Sequence, residues 1–306
     1  MQIFTHSDNL PASAQGAVAA LGNFDGLHKG HQAVLNAAHA LSRAEKRLFG
    51  VITFEPHPRS IFFPDHAPFR LTPAPIKRKL LAEMGVDVLY EIPFSPAFAK
   101  ITAQEFMERI LLKELNVAHA VAGHDFVFGH KRLGNMESLK AFFGGHERSV
   151  TEIAPQKDGQ ELWSSTRIRE QLQKGEVWQA ANALGRVWEI EGVVEKGDGA
   201  GRKLGYPTAN LDLNGTLRPA YGVYAVQAKL AGKSLKGVAN FGRRPTLGGN
   251  AERFEAHLFD FSGDLYGQEL RVGLADYIRH EAAFPSLEAL KQQIGQDCLA
   301  AKRLLA

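Results

Sequence analysis

Leu21-Gly22-Asn23-Phe24-Asp25-Gly26-Leu27-His28-Lys29-Gly30-His31 is the stretch whose reading decides the fold. The apolar run 17–21 leads into it and the Ala/Leu-rich run 32–47 leads out, which predicts a strand, a Gly-rich turn and a helix. Such a turn aims free backbone N–H groups at one point, backed by the positive end of the helix dipole. The ligand favoured there is an anion, usually a phosphate. Gly22, Gly26 and Gly30 let the backbone come close to it. His28 and His31 stand three residues apart at the helix entrance, so both imidazoles can face that anion. Two plainer readings stand beside this one. Glycines between strand and helix occur in any α/β domain, and a His pair at this spacing is half of a metal site. A metal site needs a third ligand, and no HExxH or Cys cluster supplies one.

The chain has 306 residues, enough for about two domains, each able to bury its own core. With 44% apolar and 23% charged residues it has the composition of a globular protein. The formal charge of +3 suits anionic small molecules but is too weak and scattered to argue for nucleic acid. No window approaches a membrane span and the start carries no basic-then-apolar leader, so a cytoplasmic location without membrane is expected; partner proteins are left open. A single cysteine, Cys298, excludes an intrachain disulfide. It falls on the apolar stripe Leu287, Leu290, Ile294, Cys298, Ala301, Leu305 and reads as a core residue rather than a nucleophile.

Beyond the opening unit, strands are expected at 48–54, 86–92, 117–122 and 149–153, with helices at 76–84, 104–115 and 166–174. Thr102 and Glu105 have the spacing of a capping box. This alternation makes a parallel α/β sheet, in which ligands bind beyond the strand ends. Glu55, His57 and Arg59 fall just past one strand; Asp125, Phe126 and Phe128, with His130-Lys131-Arg132, fall past another and suit a flat ring and a phosphate. The first of these could equally be an ordinary polar loop. Ser165, Thr166 and Arg167 open the last of these helices, either as N-caps or as a second phosphate clamp.

From about Trp188 the rhythm changes to short β-rich runs at 189–196, 221–230, 234–241, 253–261 and 269–278, separated by Gly-rich turns, and a helix at 286–305. That is a small antiparallel barrel closed by a C-terminal helix. A boundary near Gly185 gives domains 1–185 and 186–306. In the second, the stretch 197–210 joins a Gly-rich loop carrying Arg202 and Lys203 to the hard oxygens of Thr208 and Asn210, a fit for Mg²⁺-nucleotide or, alternatively, a plain β-turn. Alternation in the run 253–258 puts Phe254, Ala256 and Leu258 on one face and Arg253, Glu255 and His257 on the other, so Glu255 is held on a polar face, as a general base or simply in solvent.

Taken together, these motifs resemble the prokaryotic bifunctional riboflavin kinase and FMN adenylyltransferase family, also called FAD synthetase. The adenylyltransferase motifs are those at 22–31, 54–58 and 165–169; the kinase motifs are those at 205–210, 240–246, 264–267 and 277–281. The resemblance implies an α/β Rossmann-like nucleotidyltransferase domain followed by a riboflavin kinase barrel with a C-terminal helix. It implies that riboflavin and ATP give FMN and ADP, and that FMN and ATP then give FAD and pyrophosphate, with Mg²⁺ as cofactor. At the adenylyl site it implies ATP on Gly22, Asn23, Phe24, Asp25, Gly26, His28, His31, Ser165, Thr166 and Arg167, with flavin near His57, Asp125, Phe126 and Phe128. At the kinase site it implies nucleotide on Gly197, Gly201, Lys203, Gly205, Pro207, Thr208 and Asn210, metal on Thr208 and Asn210, flavin near Arg279 and Glu281, and Glu255 as base. Ala200 stands where the family usually has Arg, Val127 where Arg is common and Asn135 where Asp is frequent; these departures touch binding strength more than chemistry. The rival readings are an adenylyltransferase with a different phosphorylated acceptor and a flavin-responsive binder that has lost catalysis.

Overall fold

The computed structural model describes residues 1–213, 215–246 and 249–306, without the side chains at 200, 244–246 and 249–251. The chain divides into two compact units, Met1–Ala67 with Thr72–Ser164, and Pro68–Leu71 with Ser165–Ala306. Among the described residues no helix is long and apolar enough to cross a membrane.

The first unit contains β1 (Gln2–Phe4), β2 (Val18–Leu21), α1 (Lys29–Ala44), β3 (Phe49–Glu55), α2 (Pro58–Phe62), α3 (Ala74–Glu83), β4 (Val88–Pro93), α4 (Ala103–Glu105), β5 (His119–Gly123), α5 (Met136–Gly144), β6 (Ser149–Ile153) and the hairpin β7 (Lys157–Asp158) and β8 (Glu161–Leu162). β1 to β6 form one sheet in the order β1-β4-β3-β2-β5-β6, and every pairing in it is parallel. Both faces are covered, so the central strands are apolar throughout instead of alternating. Val18 and Ala20 pack with Leu35, Ala38 and Leu81 on one side; Ala19 and Leu21 pack with Tyr90, Phe106 and Leu111 on the other. The sequence reading found the five interior and right-hand strands and missed β1, a three-residue edge with little apolar pattern. α1 starts at Lys29, three residues before the expected 32, because His28 serves as its N-cap. The Thr102–Glu105 capping box is present, and the helix it starts continues as a π-helix over Phe106–Glu114.

The second unit begins with α6 (Ser165–Gln173) and α7 (Val177–Leu184), then β9 (Trp188–Glu195), α8 (Ala200–Lys203), β10 (Ala209–Leu211), β11 (Gly222–Leu230), β12 (Lys233–Thr246), β13 (Gly249–Leu258), β14 (Glu269–Arg279) and α9 (Leu287–Leu304). Six strands close a barrel in the order β10-β13-β12-β11-β14-β9. α9, capped by Ser286, lays Ala301 and Leu305 over Val223, Ala225 and Val238. Its expected stripe is buried only in the last turns: Leu287 is exposed and Cys298 half-buried. Burial still pushes the Cys298 thiol up, aided by Asp297, which disfavours the reactive thiolate. β10 was not anticipated. It is three residues long, right after Pro207, and it completes the ring.

Candidate active sites

In an all-parallel sheet every strand ends at the same edge, so the loops after β2, β3 and β5 emerge side by side. The chain runs from β2 to β3 on one side while β5 lies on the other, and such a reversal of strand order opens a crevice for ligands. The turn after β2 lies there. Gly26 has φ +94° and Phe24 and Leu27 also have positive φ, a contorted path fixed by burying both apolar side chains. The Asp25 carboxylate, itself buried, accepts from the Thr72 amide at 2.9 Å and its hydroxyl at 3.3 Å, while Gly26 N–H donates to that hydroxyl at 2.8 Å. Asp25 therefore shapes the turn from behind.

His28 Nδ1 accepts the His31 N–H at 3.3 Å, and the two rings stack with centroids 3.7 Å apart. Phe24 meets His31 edge-on at 5.4 Å. A Cβ at Gly30 would meet the His28 ring at 3.0 Å, so glycine is what lets that ring lie across the helix entrance. Sequence reading missed Lys77, whose side chain is fully buried behind this turn. Its Nζ donates to Thr53 Oγ1 at 3.0 Å, lies 3.5 Å from the Asn23 carbonyl and 3.6 Å from Glu55 Oε2. It was illegible because a single Lys in a helix reads as solvated.

Beside the turn lies a fan of aromatic rings. Phe54 contacts Phe94, Phe98 and Phe106 at 5.8–6.2 Å, Phe106 meets Phe128 at 5.3 Å, and Phe126 stacks on Phe128 at 5.5 Å. Phe62, largely exposed, meets Phe94 at 5.8 Å. Of these, Phe126 and Phe128 were singled out from sequence, and Phe54 only as the first residue of the motif at 54–58. Asp125 is exposed at the start of this loop, and His57 caps α2 by accepting the Arg59 N–H at 3.1 Å. Asn135 caps α5 in a reciprocal pair with Ser138, a task Asp and Asn perform equally well. Ser165, Thr166 and Arg167 open α6 in the second unit, where Arg169 Nε donates to the Phe69 carbonyl at 2.8 Å.

In the barrel, register does the assembling. Glu255 is directly opposite Asn210 on one side and Asn240 on the other, so three polar side chains from β10, β13 and β12 share one face. The expected alternation holds: Phe254, Ala256 and Leu258 are buried and Glu255 is not. Among the described residues, Asn210 Oδ1 is buried with no hydrogen-bond partner. A Cβ at Gly197 would meet Asn210 Cγ at 2.8 Å, and one at Gly201 would meet Thr208 Oγ1 at 3.4 Å, so the Gly-rich loop wraps both oxygen donors. An unpartnered amide oxygen beside a hydroxyl is the hard donor pair that Mg²⁺ takes. Lys203, Gly205 and Pro207 are exposed on the same loop, and Gly205 has φ +92°. The side chain at 200 and those of Arg244, Pro245 and Thr246 lie outside the described residues.

Arg279 is more committed than sequence implies. Its Nε and Nη2 bind both oxygens of the buried Asp297 on α9 at 2.8 and 2.7 Å, and Nη1 donates to the His280 carbonyl. The Glu281 carboxylate lies against the Gly242 backbone, where no Cβ would fit. At one end of the barrel Arg218 and Tyr221 both donate to Glu252, and Arg243 donates to the Tyr221 hydroxyl. Burial, then Glu252, pushes the Tyr221 hydroxyl up; burial opposes ionisation of Glu252, yet the donors Tyr221 and Arg218 outweigh it and hold that carboxyl below its usual range.

Comparison with known proteins places this geometry. Residues 10–167 match the family model for FAD synthetase and residues 184–305 the model for riboflavin kinase. The bifunctional riboflavin kinase/FMN adenylyltransferase of Escherichia coli (strain K12) is 40% identical over 292 residues, covering 95% of this chain and 93% of that protein. The Haemophilus influenzae protein of the same name is 39% identical over 99% of this chain and 98% of its own, and that of Bacillus subtilis 36% identical over 96% and 94%. A solved Streptococcus pneumoniae structure described as a macrolide-efflux protein is 34% identical, covers 96% of each chain and superposes with a TM-score of 0.86.

Proposed function

The chain belongs to the bifunctional riboflavin kinase/FMN adenylyltransferase family, and from that premise we propose which of its residues carry each reaction. The enzyme phosphorylates riboflavin with ATP in its C-terminal part and adenylylates the resulting FMN with a second ATP in its N-terminal part. We assign the functional division to 1–185 and 186–306, near the left-handed C-cap Gly185 of α7, and a cytoplasmic setting without membrane or nucleic acid.

In the adenylyltransferase the turn from Gly22 to Gly26 offers its amides to the ATP phosphates, with Ser165, Thr166 and Arg167 as further ATP contacts. His28 and His31, stacked at the α1 entrance, face the α-phosphorus, where they neutralise charge as the FMN phosphate oxygen attacks and pyrophosphate leaves. His57, Asp125, Phe126 and Phe128 border the flavin, and the aromatic fan adds Phe54 and Phe62 to that wall.

In the kinase Glu255 takes the proton from the terminal ribityl hydroxyl as its oxygen attacks the γ-phosphorus of ATP. Gly197, Gly201, Lys203, Gly205 and Pro207 line the nucleotide, and Arg279 and Glu281 border the flavin. Mg²⁺, held by Thr208 and Asn210, would neutralise the phosphate charge there. The row Asn210–Glu255–Asn240, with an Asn210 oxygen at its edge that has no partner among the described residues, is the observation that carries this assignment. Two variants test both sites, with riboflavin, Mg-ATP and chromatography of FMN and FAD. Glu255→Gln should slow FMN formation about 10²–10⁴-fold and spare FMN-to-FAD conversion. His31→Ala should slow adenylylation about 10²–10³-fold and spare the kinase. If both folded variants lose both activities, the two-site assignment fails.

A further inference from the structure

Glu255 has outward-facing neighbours two residues to either side on β13, Arg253 and His257, each about 7 Å along the strand. Both reach the nucleotide loop. Arg253 Nη1 pairs with Asp198 Oδ2 at 3.1 Å, near the loop's start. His257 Nδ1 lies 2.8 Å from the Pro207 carbonyl, at the loop's end and next to Thr208. A carbonyl accepts only, so that contact puts the proton on Nδ1 in the neutral and the charged ring alike. The ring is itself held edge-on against Tyr206 at 5.5 Å and Phe259 at 5.9 Å. Tyr206 N–H closes back on the Gly201 carbonyl at 2.8 Å, so the loop end is fixed from both sides.

We propose that His257 is a positioning residue of the kinase: by donating to the Pro207 carbonyl it fixes the backbone that presents Thr208 to Mg-ATP, in register with Glu255 on the same strand. It touches no substrate. Removing the donor frees the Pro207 carbonyl and lets Thr208 drift, which weakens nucleotide binding more than it slows the chemical step. The inference rests on Thr208 serving the nucleotide.

Three substitutions separate the hydrogen bond from the packing. His257→Phe keeps the ring and loses the donor; His257→Asn places an amide N–H where Nδ1 was; His257→Gln carries its amide one carbon too far. In riboflavin phosphorylation the Phe variant should raise KM for Mg-ATP about tenfold, the size of one lost hydrogen bond, with kcat changed less, riboflavin KM unmoved and FMN adenylylation intact. The Asn variant should return KM towards the native value and the Gln variant should not, a contrast that stands even if the Phe variant does not fold. An unchanged KM in the Phe variant, or equal impairment in Asn and Gln, overturns the proposal. Thr208→Ala is the reference: if it too leaves KM for Mg-ATP unchanged, the nucleotide assignment fails; if it raises KM while His257→Phe does not, only the role of His257 fails.

Discussion

Lys77 has its ammonium sealed from solvent while bonded to Thr53 and lying within reach of the Asn23 carbonyl and of Glu55. A buried charge persists only where its partners offset the lost hydration, so these groups and Lys77 depend on one another. Thr53 Oγ1 also donates to the Asn23 carbonyl at 3.2 Å, which makes Lys77 and Thr53 joint supports of the turn after β2. Lys77→Met should lower thermal stability by about 1–3 kcal/mol through the stranded partners and should raise KM for ATP in FMN adenylylation. Riboflavin phosphorylation by the same preparation should be untouched. A melt that falls while adenylylation stays native would reduce Lys77 to a core residue. Sequence patterning separates Glu255 from this case: alternation along β13 forecast its face, whereas nothing in Ile76-Lys77-Arg78-Lys79 marks one lysine as buried and the next as not.

At the scale of elements, the long and periodic pieces were legible and the short ones were not. β2, α1 and β11 to β14 carry enough apolar period to be read directly, whereas β1 and β10, with three residues each, do not. β10 matters most, because it brings Asn210 opposite Glu255 and closes the ring. The glycines of the loop 197–205 were legible as a group but not individually. At Gly197 an added Cβ would sit 2.9 Å from Asn210 Oδ1, closer than real contacts allow, whereas at Gly199 it would meet nothing within 4 Å. Gly197→Ala should therefore push Asn210 aside and weaken Mg-ATP binding to the kinase by roughly tenfold or more, equal to about 1.4 kcal/mol. Gly199→Ala, at φ +68°, should cost about 1 kcal/mol of local strain and leave Asn210 in place. Magnesium titration of riboflavin phosphorylation compares the two; equal KM values for Mg-ATP would mean that the loop does not bear on Asn210.

For the whole molecule, the decisive feature is that each unit carries its own core, its own glycine turn and its own polar cluster. The kinase transfers the terminal phosphorus of ATP and the adenylyltransferase the innermost, and the residues proposed for the two reactions do not overlap. FMN is the only species they must share, and as a small anionic product it can pass through solvent. Two chains, each defective at a different site, should then cooperate in trans. Glu255→Gln alone should make FAD from riboflavin only as fast as its slowed FMN formation allows, and His31→Ala alone should accumulate FMN. An equimolar mixture should make FAD after a lag in which FMN accumulates, and unlabelled FMN added at the start should dilute a riboflavin-derived label in the product. A mixture that makes FAD no faster than either variant alone, although each retains its spared activity, would mean that FMN must stay with the chain that made it.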